Sequence, residues 1–322
     1  MIQKKKSRRT AHFFFRFVPL LLLLWGCAST NKLNRDLAAS PVPYIIEEDF
    51  SFQETADDSD PASGQGQSQK SAQNSLSDSD EEPGRYIFIR LYNPVYKNPF
   101  YIANILKAGI EITDLNEEKV SHSAINFSLD DNFYGLTFGG KLQLVEESCV
   151  NVDGHKYMGK CSPVKSAQVT YALKVTEDEY TSTKEFVEAY AQSTKVKYRA
   201  IENFKIAMFD IKRRFFTSKK NREFGKSKYL PLAKNRSDRN SDDFTENDFV
   251  CSTFIAFALI NNIPRIADWF ENHKINYRYV NVGDLIHIPG MTRLFSSTWE
   301  YYQIAAQAFV DEHPEFSEYL NN

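Results

Sequence analysis

An apolar run with an abrupt start covers residues 248–260, which read DFVCSTFIAFALI. The run is apolar on every side and contains neither glycine nor proline, so it predicts a buried central helix rather than a surface helix. Asn247 or Asp248 can cap the start of this helix, and Thr245 with Asp248 also fits a capping box. Either cap places Cys251 in or near the first turn.

Alternating polar and apolar positions upstream of this run predict strands. Residues 120–127 read VSHSAINF, so His122, Ala124 and Asn126 share one face of a half-buried strand. Further strands are expected at four places: residues 85–92, the surroundings of Tyr134, the surroundings of Leu144, and residues 169–175.

Helical patterns dominate the second half of the chain. Besides the Cys251 helix, the expected helices cover residues 177–192, 264–273 and 298–310, and a short helix over 99–109 is a further option. Strands that come first and helices that come later favour an α+β fold. The sequence contains no internal repeat.

Cys251 is the candidate nucleophile. Unpaired N–H groups and the positive end of the helix dipole favour a thiolate in the first turn of a helix. A thiol nucleophile also needs a histidine within hydrogen-bond reach, and His122 on its strand is the candidate. The resulting imidazolium would stabilise the thiolate further. The alternative is that Cys251 is a small core residue without chemistry.

Three short motifs carry a resemblance to a known family: SHSAI at 121–125, FGG at 138–140 and FVCSTF at 249–254. They resemble the circularly permuted NlpC/P60 cysteine hydrolases, in the YiiX-like branch, and the likeness covers residues 85–290. The resemblance implies an α+β, permuted papain-like fold in which an antiparallel sheet packs on a central helix bearing the cysteine. It also implies that Cys251 is the nucleophile and His122 the base.

The residue that would orient the histidine ring is left open. Tyr134 and Thr137 lie on the next expected strand, and Glu146 lies on the one after it. None of them is the Asn, Asp or His that the permuted pattern expects. The favoured interpretation of Tyr134 and Thr137 is that they are ordinary strand residues.

The N-terminus predicts export and lipid attachment. A basic start precedes an apolar core at residues 13–24, which is shorter than a membrane-spanning helix requires. The core ends in LLLWGC, which resembles a bacterial lipobox with Cys27 as the lipidated residue, for example by palmitate. Residues 1–26 are therefore expected to be a lipoprotein signal peptide. A plain secretory signal and an uncleaved anchor are the alternatives.

Between Cys27 and the expected domain the composition predicts disorder. Residues 27–84 are acidic and rich in serine and glutamine, so they are expected to form a disordered acidic tether, followed by one domain over 85–322. The short apolar patch at 42–46 is able to dock on that domain, although nothing in the sequence requires it.

Two more cysteines lie in a turn-rich insert. In an oxidising compartment Cys149 and Cys161 are expected to form a disulfide. A metal site that adds His155 is the alternative, but it lacks a fourth ligand at a standard spacing. No motif for a cofactor or a phosphate-binding loop is present, so neither cofactor nor metal is expected.

The distribution of charged residues along the chain indicates which kinds of molecule are candidate binding partners. The net charge is −3, yet residues 212–239 form a basic stretch in front of the Cys251 helix. This stretch is either a solvated loop or a surface for anionic lipid or acidic cell-wall polymer. Nucleic acid is not an expected partner of an exported chain.

The sequence predicts a thiol hydrolase, lipid-anchored in the bacterial cell envelope and facing outside the cytoplasm. It would cleave an amide or ester, for example in cell-wall peptide, through an acyl-enzyme at Cys251. The alternatives are an acyltransferase or lipid-acyl hydrolase of the same fold, and a catalytically inactive envelope-binding lipoprotein.

Overall fold

A seven-stranded antiparallel sheet forms the centre of the domain. The computed structural model describes residues 44–46, 84–95, 120–130, 132–136, 142–146, 166–193, 196–199, 202–203, 205–210 and 248–320. The sheet has the strand order β1-β9-β6-β2-β3-β4-β5. Its strands are β1 (Tyr44–Ile46), β2 (Arg85–Asn93), β3 (His122–Asn126), β4 (Asn132–Leu136), β5 (Leu142–Glu146), β6 (Ala167–Val175) and β9 (Met291–Thr298).

A small strand pair and several helices flank this sheet in the described part of the chain. The parallel pair joins β7 (Lys197–Tyr198) to β8 (Asp248–Phe249). The α-helices with described bounds are α1 (Glu177–Gln192), α2 (Cys251–Asn262), α3 (Pro264–Asn272) and α4 (Tyr302–Glu312), and residues 205–210 are also helical. Short 3-10 helices lie at Tyr277–Tyr279, Gly283–His287, Trp299–Tyr301 and, last, Pro314–Tyr319. The combination of helices with an antiparallel sheet confirms the α+β class.

Helices cover both faces of the sheet. On one face Phe88 packs against Tyr319, with ring centroids 5.2 Å apart, and Phe295 packs against Phe309 of α4 at 5.5 Å. On the other face Tyr134 lies beside Ile125 and its hydroxyl reaches Glu188 of α1 at 3.5 Å.

Helix α1 also packs against α2. The ring of Tyr190 in α1 lies 5.6 Å from the ring of Phe254 in α2, measured between centroids. The sheet is therefore enclosed between α1 with α2 on one side and α4 with the last 3-10 helix on the other.

Several sequence-based boundaries agree with the structure. Helix α1 begins and ends where its pattern predicts, and Thr176 with Glu179 forms a capping box at its start. Helix α3 ends at Asn272, one residue early, with His273 as its C-cap. The last helix differs more, because Thr298 ends β9 and a 3-10 turn precedes α4.

Strand β1 lies inside the segment expected to be a tether. Residues Tyr44, Ile45 and Ile46 pair with Ser297, Ser296 and Phe295 of β9. The apolar patch thus adds an edge strand to the sheet, which is the docking that the sequence left open.

Other sequence-based expectations fall outside the described residues. These are the signal peptide 1–26, most of the tether, the short helix 99–109, the basic stretch 212–239, and the residues Cys27, Thr137, Cys149, His155 and Cys161. Within the part of the chain that the structure does describe, none of the helices combines the length and apolarity needed to cross a membrane.

Candidate active site

The first helical residue of α2 is Cys251, and Val250 is its N-cap. Because valine has no polar side chain, Thr253 performs the capping. The Val250 N–H donates to Thr253 Oγ1 at 2.9 Å, and the same hydroxyl donates to Val250 O at 3.1 Å. Cys251 therefore lies in the first turn, where backbone N–H groups have no intrahelical partner.

The predicted N-cap of α2 was wrong, because Asp248 makes contacts with a distant part of the chain instead. Asp248 belongs to β8, where it pairs with Lys197 of β7. Its carboxylate accepts a hydrogen bond from Arg199 Nε at 2.6 Å. Asp248 thus interacts with a segment about fifty residues away, while Asn247 and Thr245 lie outside the described residues.

Helix α2 is buried over nearly its whole length, as the apolar run predicts. Ser252 Oγ donates to Val280 O at 2.8 Å, which ties the first turn to the loop after a 3-10 helix. Phe257 packs against Tyr277 with ring centroids 5.3 Å apart. Cys251 itself is 5% exposed and is a thiol rather than half of a disulfide.

His122 is the first residue of β3, opposite Tyr92 of β2. Its imidazole packs edge-on against the Tyr92 ring, with centroids 4.6 Å apart and planes at 81°. The side chain keeps some contact with solvent, yet protein surrounds the ring densely enough for burial to lower its pKa to about 3.

This pKa changes the expected chemistry of the pair. An imidazole with a pKa of about 3 is neutral at neutral pH, so it can accept a proton but does not carry a resting positive charge. The predicted imidazolium–thiolate pair is therefore disfavoured in this conformation. The helix N-terminus, where Cys251 is the first helical residue, still favours a thiolate.

The elements that carry Cys251 and His122 are in contact, because α2 packs against β3. The side chains of the two residues, however, lie toward different faces of the sheet. Alternation along β3 turns His122 to the face of Tyr92, while Ser123 and Ile125 turn to the opposite face. Helix α1, and α2 beside it, lie on the face of Ile125. Contact between the thiol and the imidazole would therefore have to run around the end of β3, where His122 is the terminal residue.

None of the three candidates for a ring-orienting residue is supported. Tyr134 lies opposite Ile125, hence on the other face from His122, and burial and then the nearby Glu188 raise its pKa to about 12. Glu146 lies on β5 and pairs with Asn132 of β4, so it is two strands away from β3. Thr137 lies outside the described residues.

A buried polar cluster beside His122 was not anticipated from the sequence. Arg90 is 1% exposed, and its guanidinium lies 4.5 Å from the ring centroid of Tyr302 and 4.9 Å from that of Phe133. Its Nε donates to Gln168 Oε1. The sequence contained a signal for this cluster, because the charged Arg90 lies between Phe88 and Tyr92 on the same face of β2.

The described ranges contain no group of three or more His, Cys, Asp or Glu side chains arranged to hold a metal ion. The alternative metal site at Cys149, His155 and Cys161 lies outside those ranges.

Comparisons of the chain with protein-family models, with curated proteins and with solved structures give no match. The resemblance to the permuted NlpC/P60 hydrolases therefore stays a prediction from the three motifs around His122, Gly139 and Cys251.

Proposed function

We propose that the chain is a thiol hydrolase with a permuted papain-like fold, anchored through lipid on Cys27 and facing outside the cytoplasm. One observation carries the proposal. Cys251 is the first residue of a buried helix, and that helix packs against the strand that begins with His122. A thiol in the first turn of a helix acts as a nucleophile when a histidine comes within hydrogen-bond reach of it.

The reaction requires one proton to move twice. Neutral His122 takes the proton of the Cys251 thiol while Sγ attacks the carbonyl carbon of an amide or ester. The imidazolium then gives the proton to the leaving amine or alcohol as the carbon–heteroatom bond breaks, which leaves an acyl-enzyme. Water hydrolyses the thioester with His122 again as base. Backbone N–H groups of the first turn are suited to stabilise the developing oxyanion.

The substrate class follows from the compartment and the family likeness. Cell-wall peptide offers amide bonds outside the cytoplasm. An acyl lipid is the other substrate, and it would make the chain an acyltransferase or a lipid-acyl hydrolase that uses the same thioester.

A specific observation favours a second function, that of a non-catalytic envelope-binding lipoprotein. The His122 ring packs on Tyr92, on the sheet face opposite Ile125, and its pKa of about 3 makes it a weak base. A domain that retains the scaffold but not the chemistry would show this arrangement.

Mass spectrometry of the full chain tests the two functions against each other. The chain is incubated separately with cell-wall fragments and with phospholipid vesicles, quenched in acid and digested. A thioester on the peptide that contains Cys251 supports the hydrolase, and the mass of the acyl group identifies the substrate class. Cys251→Ser is the negative control, and exposed His273→Ala is the matched histidine control. Unmodified Cys251 with both substrates, and no products, favours the binding function.

A further inference from the structure

The guanidinium of Arg90 is buried within a ring of aromatic side chains. Besides Tyr302 and Phe133, the ring of Trp299 lies 5.6 Å and that of Tyr92 5.9 Å from Arg90 Cζ. Aromatic faces stabilise a cation. They do not, however, satisfy the N–H donors of a guanidinium, which require acceptors in its plane.

The hydrogen bonds to this guanidinium are incomplete. Gln168 accepts from Nε, and Gln168 is itself held by donation to Ser297 Oγ at 2.9 Å. Arg90 Nη1 is buried without a partner, and no ion pair to Arg90 occurs among the described residues. A buried, charged donor that lacks an acceptor is strongly unfavourable, so an acceptor is expected there.

Two residues around Arg90 also have a buried polar atom without a partner. The indole Nε1 of Trp299 is buried without an acceptor, and the Trp299 ring is one of those around the guanidinium. Thr170 is directly opposite Arg90 in the sheet, and its buried Oγ1 is also without a partner. Three unpartnered donors thus lie on neighbouring residues, and an acceptor with negative charge would satisfy donors of this kind.

We propose that Arg90, Trp299 and Thr170 form a binding site for a small organic monocarboxylate. A carboxylate accepts from a guanidinium and a neighbouring N–H in one plane, and one negative charge balances one arginine. The aromatic rings around the guanidinium would favour an apolar or aromatic body on the ligand. Half-buried His122 packs on Tyr92, which is one of these rings. The site does not depend on catalysis at Cys251.

Thermal unfolding of the full chain at constant ionic strength tests the site. Sodium benzoate is the probe, sodium octanoate tests a longer apolar body, and benzamide and inorganic phosphate are the controls. We expect benzoate or octanoate to raise the melting temperature in a saturable manner, and benzamide and phosphate to leave it unchanged. A larger shift with phosphate, an equal shift with benzamide, or no shift with either carboxylate would overturn the proposal.

Variants locate the effect at the three donors. Trp299→Phe keeps an aromatic ring and Thr170→Val keeps the shape, and each should weaken benzoate binding by about tenfold, the worth of one charge-assisted hydrogen bond. Arg90→Met should abolish binding. If Arg90→Met does not fold, the two conservative variants decide. Unchanged affinity in both of them contradicts the site.

Discussion

His122 packs its imidazole edge-on against the ring of Tyr92, with centroids 4.6 Å apart. Tyr92 in turn packs on Trp299 at 5.2 Å. The imidazole is therefore part of an aromatic cluster, and burial there lowers its pKa to about 3. A histidine that is neutral when folded and protonated when unfolded makes stability depend on pH.

The first prediction concerns this pH dependence. Between about pH 6.5 and about pH 3 the unfolded chain binds a proton at His122 that the folded chain does not, so stability is present above pH 6.5 and is lost as the pH falls. One proton contributes at most about 1.4 kcal/mol per pH unit, and less for a side chain with some solvent contact. His122→Gln should reduce this slope in urea unfolding of the full chain at a series of pH values.

Exposed His273 provides the control for that experiment. The slope should fall more in His122→Gln than in His273→Gln, because only His122 is buried densely enough to lower its pKa to about 3. If His122→Gln and the wild-type chain lose stability in parallel below pH 6.5, His122 is not buried as described.

The second prediction concerns the cap of α2. Thr253→Val keeps the shape of the side chain but removes the hydrogen bonds to Val250, so we expect a loss of about 1–2 kcal/mol in the free energy of unfolding. Urea denaturation measures it. Thr181→Val on the exposed face of α1 is the matched control and should change stability by less than about 0.5 kcal/mol.

The third prediction concerns β1. Deleting residues 28–41 should leave the melting temperature nearly unchanged, whereas deleting 28–46 removes the strand and leaves the pairing edge of β9 open. The longer deletion should lower the melting temperature by several degrees, since about 1 kcal/mol corresponds to roughly 2–4 °C in a domain of this size. Equal melting temperatures would show that the strand contributes nothing.

The fourth prediction concerns the insert cysteines. In full-length Cys27→Ser, denatured without reduction, thiol titration should find Cys251 alone if Cys149 and Cys161 are joined. Such a short loop contributes about 2–3 kcal/mol of stability. A count of three thiols would exclude the disulfide and make a metal site with His155 the next hypothesis.

Sequence patterns correctly predicted the helices whose burial can be recognised from the spacing of apolar residues within the helix itself. Helix α1 agrees with its pattern from end to end because Tyr180, Val187 and Tyr190 form a buried stripe at helical spacing. Helix α2 was predicted as buried because its run is apolar on every side, and it is.

Elements that depend on distant partners were not predicted. Strand β9 contains buried Ser296 and Ser297, which look like surface positions until β6 and β1 flank them. Asp248 is a residue type that commonly caps helices, but it pairs with Lys197 in a strand, and Val250 is the N-cap of α2 instead.

The candidate site was predicted in part. The sequence placed Cys251 in the first turn of a buried helix, and alternation placed His122 on the face of Ala124. It could not predict on which side of the sheet α2 packs, because that choice depends on α1 and α4 together.

Acylation of Cys251 by p-nitrophenyl acetate tests the central claim most directly. The rate constant for acetyl-Cys251 formation is measured at neutral pH by mass spectrometry of quenched full chain, in wild type, His122→Ala and His273→Ala. General-base catalysis predicts a rate at least about a hundredfold lower in His122→Ala and unchanged in His273→Ala. Equal rates in all three chains would contradict the hydrolase and leave an envelope-binding domain as the function.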